Sequence, residues 1–253
     1  MRAMHLLATA FHWLVLVPCI VVLRIASFVL PLQPLRALAC YLIGQSVRWN
    51  PFITIKVLRR DTPFDRSKHR SLMVMSTHHS DLDPFVFMTV FNVEMAGIIN
   101  NRRMRALYKK DLEEIPLLGP VVRALNWVAV DFKSKTVEDT SVKPESSMQL
   151  KRDVAAALGG APTDFVVFPE GSRRPEGVIG EFKPFMFQQS QEHSVPILPC
   201  TLIGTGRIKP VNSFFGIWPG EIQLIVHPVI YPVAGEEPRA YAERVKSIMK
   251  SGY

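Results

Sequence analysis

Residues 71–84 read Ser71-Leu72-Met73-Val74-Met75-Ser76-Thr77-His78-His79-Ser80-Asp81-Leu82-Asp83-Pro84. The apolar run at 71–75 suits a buried strand. Asp83-Pro84 is helix-start chemistry, because Asp is preferred at the N-cap and Pro at the first helical position. A buried strand that turns into a helix is the repeating unit of α/β sheets, and such proteins place chemistry at strand ends. Outward from this stretch, apolar runs at 53–58, 127–130, 165–168, 197–202 and 222–230 also suit strands. Helical patterns lie between several of them, clearest at 147–158, where Gly159-Gly160 provides a stop. The closing segment 238–250 reads as an amphipathic helix without special chemistry. The expected fold is α/β, a central and mostly parallel sheet flanked by helices.

The chain has 253 residues, enough for one large domain, and a formal net charge of +8. A positive mean hydropathy of +0.14 together with a pI near 9.6 points to a membrane surface. The first 60 residues hold seven cations (Arg2, Arg24, Arg36, Arg48, Lys56, Arg59, Arg60) and no Asp or Glu. These cations are spread through Leu, Val and Ile, which suits snorkelling beside anionic headgroups and argues against a nucleic-acid partner. Residues 6–23 are just long enough to cross a bilayer, although His12 and Pro18 interrupt them, whereas 35–47 are too short. Between them lies Pro31-Leu32-Gln33-Pro34, so residues 1–50 read as a membrane-associated helical hairpin in one leaflet, and 51–253 as the catalytic domain. The alternative is a single spanning helix followed by a linker helix. The triplet Ala37-Leu38-Ala39 looks like a signal cleavage site but comes late, after Arg24, so the segment is expected to be retained. Cys19, Cys40 and Cys200 suggest no disulfide framework.

In the opening stretch, His78 and Asp83 stand five apart, about 140° around a single helix, so they meet only if His78 lies in the turn and Asp83 opens the helix. A carboxylate there sits at the positive helix end and can hold one imidazole nitrogen, leaving the other as an acceptor, as a general base requires. The same residues also allow a plainer reading in which Asp83 or Ser80 only caps the helix. The doublet His78-His79 raises the question of a metal, but no further His or Cys at ligand spacing supports one, and none is expected.

A second strand, at 164–168, ends in Pro169-Glu170-Gly171-Ser172-Arg173-Arg174. Its content suits an anion: Gly171 lets the backbone approach, Ser172 offers a hydroxyl, and Arg173 supplies a planar fork for phosphate. Glu170 would not sit on a phosphate and is expected to anchor the loop or bind a glycerol hydroxyl. A simple surface turn is the alternative, since Pro175-Glu176-Gly177 repeats the tripeptide.

Together, Thr77-His78-His79-Ser80-Asp81-Leu82-Asp83 and Phe168-Pro169-Glu170-Gly171-Ser172-Arg173 resemble the glycerolipid acyltransferase family, and within it the branch acting on 1-acylglycerol 3-phosphate. The family's hallmarks are Asn-His-x-Ser-x-x-Asp and Phe-Pro-Glu-Gly-Thr-Arg. Lys109-Lys110-Asp111-Leu112, Ile115-Pro116-Leu117-Leu118-Gly119, Gly180-Glu181-Phe182-Lys183, Val195-Pro196-Ile197-Leu198-Pro199 and Thr201-Leu202-Ile203-Gly204-Thr205-Gly206 continue the likeness in order. The chain departs from the pattern at Val130-Asp131-Phe132-Lys133, where relatives carry Ile-Asp-Arg; Lys133 can offer only a point charge instead. Residues 133–145 read as a polar, solvated insert.

The resemblance implies that a fatty acyl group passes from acyl-CoA or acyl carrier protein to the sn-2 hydroxyl of lysophosphatidic acid, giving phosphatidic acid for phospholipid biosynthesis. It implies His78 and Asp83 as catalytic residues, and Ser80, Lys110, Lys133, Glu170, Gly171, Ser172 and Arg173 as substrate-binding ones. No cofactor is implied, because a thioester is already activated. Glycerol 3-phosphate or a lysophospholipid with a larger headgroup is the alternative acceptor. A lipase-like hydrolase would need a Gly-x-Ser-x-Gly elbow, which the sequence lacks. A non-catalytic lipid-binding protein would have no use for the spaced His and Asp.

Overall fold

The computed structural model describes residues 2–59, 66–91, 103–116, 118–133, 142–213 and 215–253. The stretch 60–65 and most of the polar insert expected at 133–145 lie outside the described residues. Two helices come first, α1 (Arg2–Ala26) and α2 (Leu32–Arg48). The rest of the chain alternates β1 (Ile53–Arg59), β2 (Leu72–Ser76), α3 (Asp83–Phe91), β3 (Met104–Lys109), α4 (Leu118–Ala124), β4 (Val128–Val130), α5 (Pro144–Gly159), β5 (Asp164–Val167), α6 (Phe185–Glu192), β6 (Ile197–Ile203), α7 (Thr205–Ile208), β7 (Gly220–Val226) and α8 (Pro238–Lys250).

The described strands form one seven-stranded sheet in the order β1-β7-β6-β2-β5-β3-β4. Every neighbouring pair is parallel except β6 and β7, so β7 and β1 run against the other five. Successive side chains on a strand point to opposite faces. Accordingly Leu72 and Val74 of β2 join one core cluster with α1, α2 and α3, while Met73 and Met75 join a second with α5, α6 and α8. Burial on both faces explains why the strands read as continuous apolar runs rather than alternating ones.

The structure adds one strand and shortens another. β3 is not legible in the sequence, because Arg105 and Lys109 interrupt its apolar positions. The run at 222–230 stops at Val226; Pro228 cannot continue the ladder, and beyond it only Ile230 pairs, as an isolated bridge to Ile197.

The N-terminal helices are more closely tied to the sheet than a free hairpin would be. Ala8, Leu16, Leu23, Leu35, Ala39, Cys40, Ile43 and Val47 belong to the same apolar cluster as β2 and α3, so no gap in packing marks residue 50. α2 lies between α1 and α3 with Gly44 against the α3 backbone. Arg36 does not snorkel: it is buried, and its guanidinium donates to Leu125 O (2.9 Å) and Asn126 O (3.3 Å) just past α4. Orphan carbonyls beyond a helix C-terminus attract a cation in this way. α1 is held by Asn50 Nδ2, which donates to Ala8 O (3.0 Å), by Trp13 Nε1, which donates to Phe215 O (3.1 Å), and by stacking of His5 on Trp218. Its other side leaves Leu6, Leu7, Leu14, Val17, Val22 and Ile25 exposed, and Phe28 and Val29 continue that surface past the helix end.

A Cβ on Gly44 would sit 2.9 Å from Thr89 N and 3.0 Å from Thr89 Cα. Gly44→Val is therefore expected to force α2 off α3 at a cost of about 1–3 kcal/mol. A fall of about 2–10 °C in the unfolding midpoint in detergent would follow; an unchanged midpoint would refute the close crossing.

Candidate active site

β2 delivers its chain at Ser76 into the turn 77–82, and β5, its neighbour, delivers the loop 168–174 at the same edge. His78 and Asp83 meet there: Nδ1 of the imidazole lies 2.7 Å from Asp83 Oδ2. The same oxygen accepts the backbone N–H groups of His79 (2.7 Å) and Ser80 (2.9 Å). Asp83 is fully buried. Its carboxylate thus folds back over the preceding turn instead of capping the first N–H groups of α3, which differs from the N-cap role expected. The helical start remains necessary, because it brings residue 83 back over residues 78–80. With Nδ1 donating to a carboxylate, Nε2 of His78 is left as the acceptor. The ring stacks on Phe168, centroids 4.2 Å apart and planes 18° from parallel, which limits its rotation.

The two loops are hydrogen-bonded to each other at His78 itself. Its N–H donates to Glu170 Oε1 (3.2 Å) and its carbonyl accepts from Arg174 N (2.8 Å). Glu170 Oε2 accepts from Gly180 N (2.7 Å), where an added Cβ would lie 2.8 Å from that oxygen. Glu170 is fully buried, and of its two expected roles the geometry shows the loop anchor. Burial pushes its carboxyl up from the ordinary value, and the backbone donors at Gly180 and His78 oppose that.

Ser80 also differs from expectation. Its hydroxyl is buried, donates to Lys209 O (2.8 Å) and accepts from Leu82 N (3.1 Å), so it ties the turn to the segment after α7. Gly171 takes φ +72, a left-handed conformation that only Gly adopts without strain, and its N–H closes a turn onto Phe168 O (3.0 Å). Ser172 presents a buried Oγ with no hydrogen-bond partner among the described residues. Arg173 points Nη1 at Asp81 Oδ2, 2.8 Å away.

Lys110 follows β3 and Lys133 follows β4, strands that lie beyond β5. With strands about 4.8 Å apart, Lys110 lies about 10 Å across the sheet from the His78 turn. Its Nζ is 3.8 Å from Asp131, which Lys143 also holds at 2.9 Å. Lys133 is exposed beside the Phe132–Val142 bridge, and Phe132 packs on the second core cluster. The structure therefore gathers His78, Asp83, Ser80, Glu170, Gly171, Ser172 and Arg173, and leaves the two lysines at the rim.

His79, the variable neighbour of His78, turns the other way. Its Nδ1 lies 3.1 Å from Arg174 O and its Nε2 meets the Tyr253 hydroxyl, which also donates to Leu202 O (3.1 Å). Burial pushes the Tyr253 phenol up from its ordinary value. Sequence reasoning does not select Tyr253 or Lys209, which lie more than 120 residues from the His78 motif with no local pattern connecting them to it, and it gives Phe168 as a motif member without its stacking role.

A paired His and Asp thus follow one strand end, and an arginine-bearing loop follows the neighbouring parallel one. The family model described as Acyltransferase matches residues 58–203, more than half of the chain, and the chain belongs to that family. It is similar to the chloroplastic 1-acyl-sn-glycerol-3-phosphate acyltransferase BAT2 of Brassica napus, 28% identical over 62% of this chain and 40% of that protein. It is also similar to the 1-acyl-sn-glycerol-3-phosphate acyltransferase of Pseudomonas aeruginosa, 23% identical over 93% of this chain and 81% of the relative. The chain thus spans less than half of its plant relative and most of its bacterial one. In fold it matches the crystal structure of PlsC, the 1-acyl-sn-glycerophosphate acyltransferase of Thermotoga maritima, with a TM-score of 0.72 at 21% identity, covering 99% of this chain and 95% of that one.

Glu170→Gln would set an amide NH2 against one of two backbone N–H groups, costing about 1–3 kcal/mol. The unfolding midpoint should fall by about 2–10 °C. A residue that only binds substrate would leave the midpoint of the substrate-free protein unchanged.

Proposed function

We propose that this protein moves a fatty acyl group from acyl-CoA or an acyl carrier protein thioester to the sn-2 hydroxyl of lysophosphatidic acid, forming phosphatidic acid in phospholipid biosynthesis. The observation that carries the reading is the 2.7 Å contact between His78 Nδ1 and the buried Asp83, which leaves Nε2 to act as base at the sheet edge. In this reading Nε2 takes the proton of the acceptor hydroxyl while Asp83 balances the imidazolium. The hydroxyl oxygen attacks the thioester carbonyl, forming the C–O bond of a tetrahedral intermediate. That intermediate collapses with loss of the C–S bond, and the departing sulfur takes the proton back from His78. No acyl-enzyme is needed, since the thioester is already activated.

Arg173 binds the acceptor phosphate in this scheme, with Gly171 and Ser172 completing the loop and Lys110 and Lys133 adding positive charge at the rim. The apolar outer side of α1 lies in the bilayer. α1 packs Ala8, Leu16 and Leu23 on the domain and leaves its other side apolar and exposed, which supports a helix lying in one leaflet from which lysolipid reaches the dyad laterally. Phe132 supports one alternative within the same chemistry. An apolar ring stands where relatives place a phosphate-binding arginine, which suits a lysophospholipid with a larger headgroup.

The test mixes detergent-purified protein with acyl-CoA and lysophosphatidic acid and follows free thiol and diacyl product. Wild type should release thiol and phosphatidic acid in equal amounts, while His78→Ala should lose about 10²–10⁴-fold in kcat with its unfolding midpoint retained. Thiol with free fatty acid would indicate a hydrolase, and neither product a lipid-binding protein; a panel of lysophospholipids distinguishes the two acceptor readings. Full turnover by a folded His78→Ala protein would remove the mechanism.

A further inference from the structure

Asp81 occupies a variable position of the first motif, yet its carboxylate is engaged by two cations from separate regions of the fold. Arg173 Nη1 from the loop after β5 lies 2.8 Å from Asp81 Oδ2, and Lys209 Nζ from the segment after α7 lies 3.6 Å from that same oxygen. Lys209 Nζ also donates to Ser213 O at 2.6 Å. The three residues differ in exposure in an informative way: the Lys209 side chain is 8% exposed, Arg173 20% and Asp81 53%. Burying an ammonium costs several kcal/mol, and an ion pair whose acid half is solvated returns about 0–1 kcal/mol. As a device for holding the fold together, the Asp81–Lys209 pair is therefore poor. As a receptor for an anion it is well built, because the cations are held from below and only the occupant faces out.

Lys209 is fixed independently of Asp81. The Ser80 hydroxyl donates to its carbonyl at 2.8 Å and its own N–H donates to Thr205 O at 2.8 Å, so the catalytic turn and the ammonium are mechanically linked. Burial lowers the proton affinity of the Lys209 amine, the neighbouring Arg173 adds to that, and Asp81 opposes it, as expected where two cations share one anion. The buried His12 of α1 is within electrostatic reach of Lys209, so this place borders the helix whose other side is apolar.

We infer that Asp81, Arg173 and Lys209 form a self-occupied anion site, in which the Asp81 carboxylate holds the place of the acceptor's phosphate and Lys209 is a second, specificity-determining cation for it. This rests on the acyl-transfer reading above for the identity of the ligand. An arriving phosphate monoester displaces Asp81, whose side chain can turn to solvent, and gains contacts to the guanidinium and the ammonium together. A neutral acceptor would gain nothing by displacing it, so the built-in carboxylate discriminates by charge. Phe132 leaves the other expected phosphate contact unfilled, and Lys209 lies on the opposite side of the dyad from it in the strand order, β6 against β4.

The experiment compares wild type, Asp81→Asn and Lys209→Met in detergent. It determines kcat and KM for lysophosphatidic acid and the rise in unfolding midpoint given by glycerol 3-phosphate, the headgroup without its acyl chain. Asp81→Asn should lower KM by about 3- to 10-fold, and Lys209→Met should raise it by about 10- to 100-fold, the worth of one charge-assisted hydrogen bond, with kcat changing much less in both. The midpoint shift should run Asp81→Asn above wild type above Lys209→Met. Unchanged KM values and equal shifts overturn the assignment while wild-type turnover leaves the acyl-transfer reading standing. The ordered shifts without any diacyl product from wild type sustain the anion site and sink that reading instead. If Lys209→Met does not fold, the exposed Asp81→Asn decides alone, an unchanged KM and shift counting against the proposal.

Discussion

One carboxylate oxygen organises the site. Asp83 Oδ2 is buried and accepts from the His78 ring, the His79 N–H and the Ser80 N–H. A charge taken out of water costs several kcal/mol, and hydrogen bonds to a charged group return about 1.5–3 kcal/mol each. Only a turn that offers several donors at once can keep that oxygen buried, so the shape of 77–82 and the position of the imidazole are set by the same requirement.

At the end of the adjacent strand, Glu170 acts in a comparable way. Its two oxygens take the N–H groups of His78 and Gly180, and the Arg174 N–H returns to the His78 carbonyl. Both backbone polar groups of His78 are thereby fastened to the loop that carries Arg173. The imidazole and Arg173 are carried on two hydrogen-bonded loops, the fixed geometry that the proposed transfer between two bound substrates would need. Neighbouring parallel strands make this possible because β2 and β5 end side by side.

The helices before the sheet belong to the same physical unit. They fill the face of the sheet that lies over β2 and α3, and leave a continuous apolar surface outside. One side of α1 is buried in the chain's own core and the other is exposed as Leu, Val and Ile, the division the proposed bilayer contact would use. Arg36 and His12 sit on the inner side and make backbone contacts, so charge and ring nitrogen in an apolar-looking segment serve packing rather than headgroups.

Much of this is legible in one dimension. Apolar runs give six of the strands, Asp83-Pro84 marks a helix start, and the five-residue interval between His78 and Asp83 requires a turn followed by a helix, because no single helix brings them together. Local sequence determines such features, since a strand buried on both faces, a proline and a short spacing act within a few residues. β3 escapes such a reading because Arg105 and Lys109 mask its pattern, and the length of β7 because Pro228 sits inside an apolar run. What only tertiary structure decided is which groups meet across long separations. Ser80, expected at substrate, holds Lys209; Glu170, expected at substrate or loop, holds the loop; Asp81, at a variable motif position, receives two cations. Hydrogen-bond partners of buried polar groups are chosen by the strand order, β6-β2-β5, and that order is settled by how two apolar faces are covered rather than by any residue's neighbours in sequence.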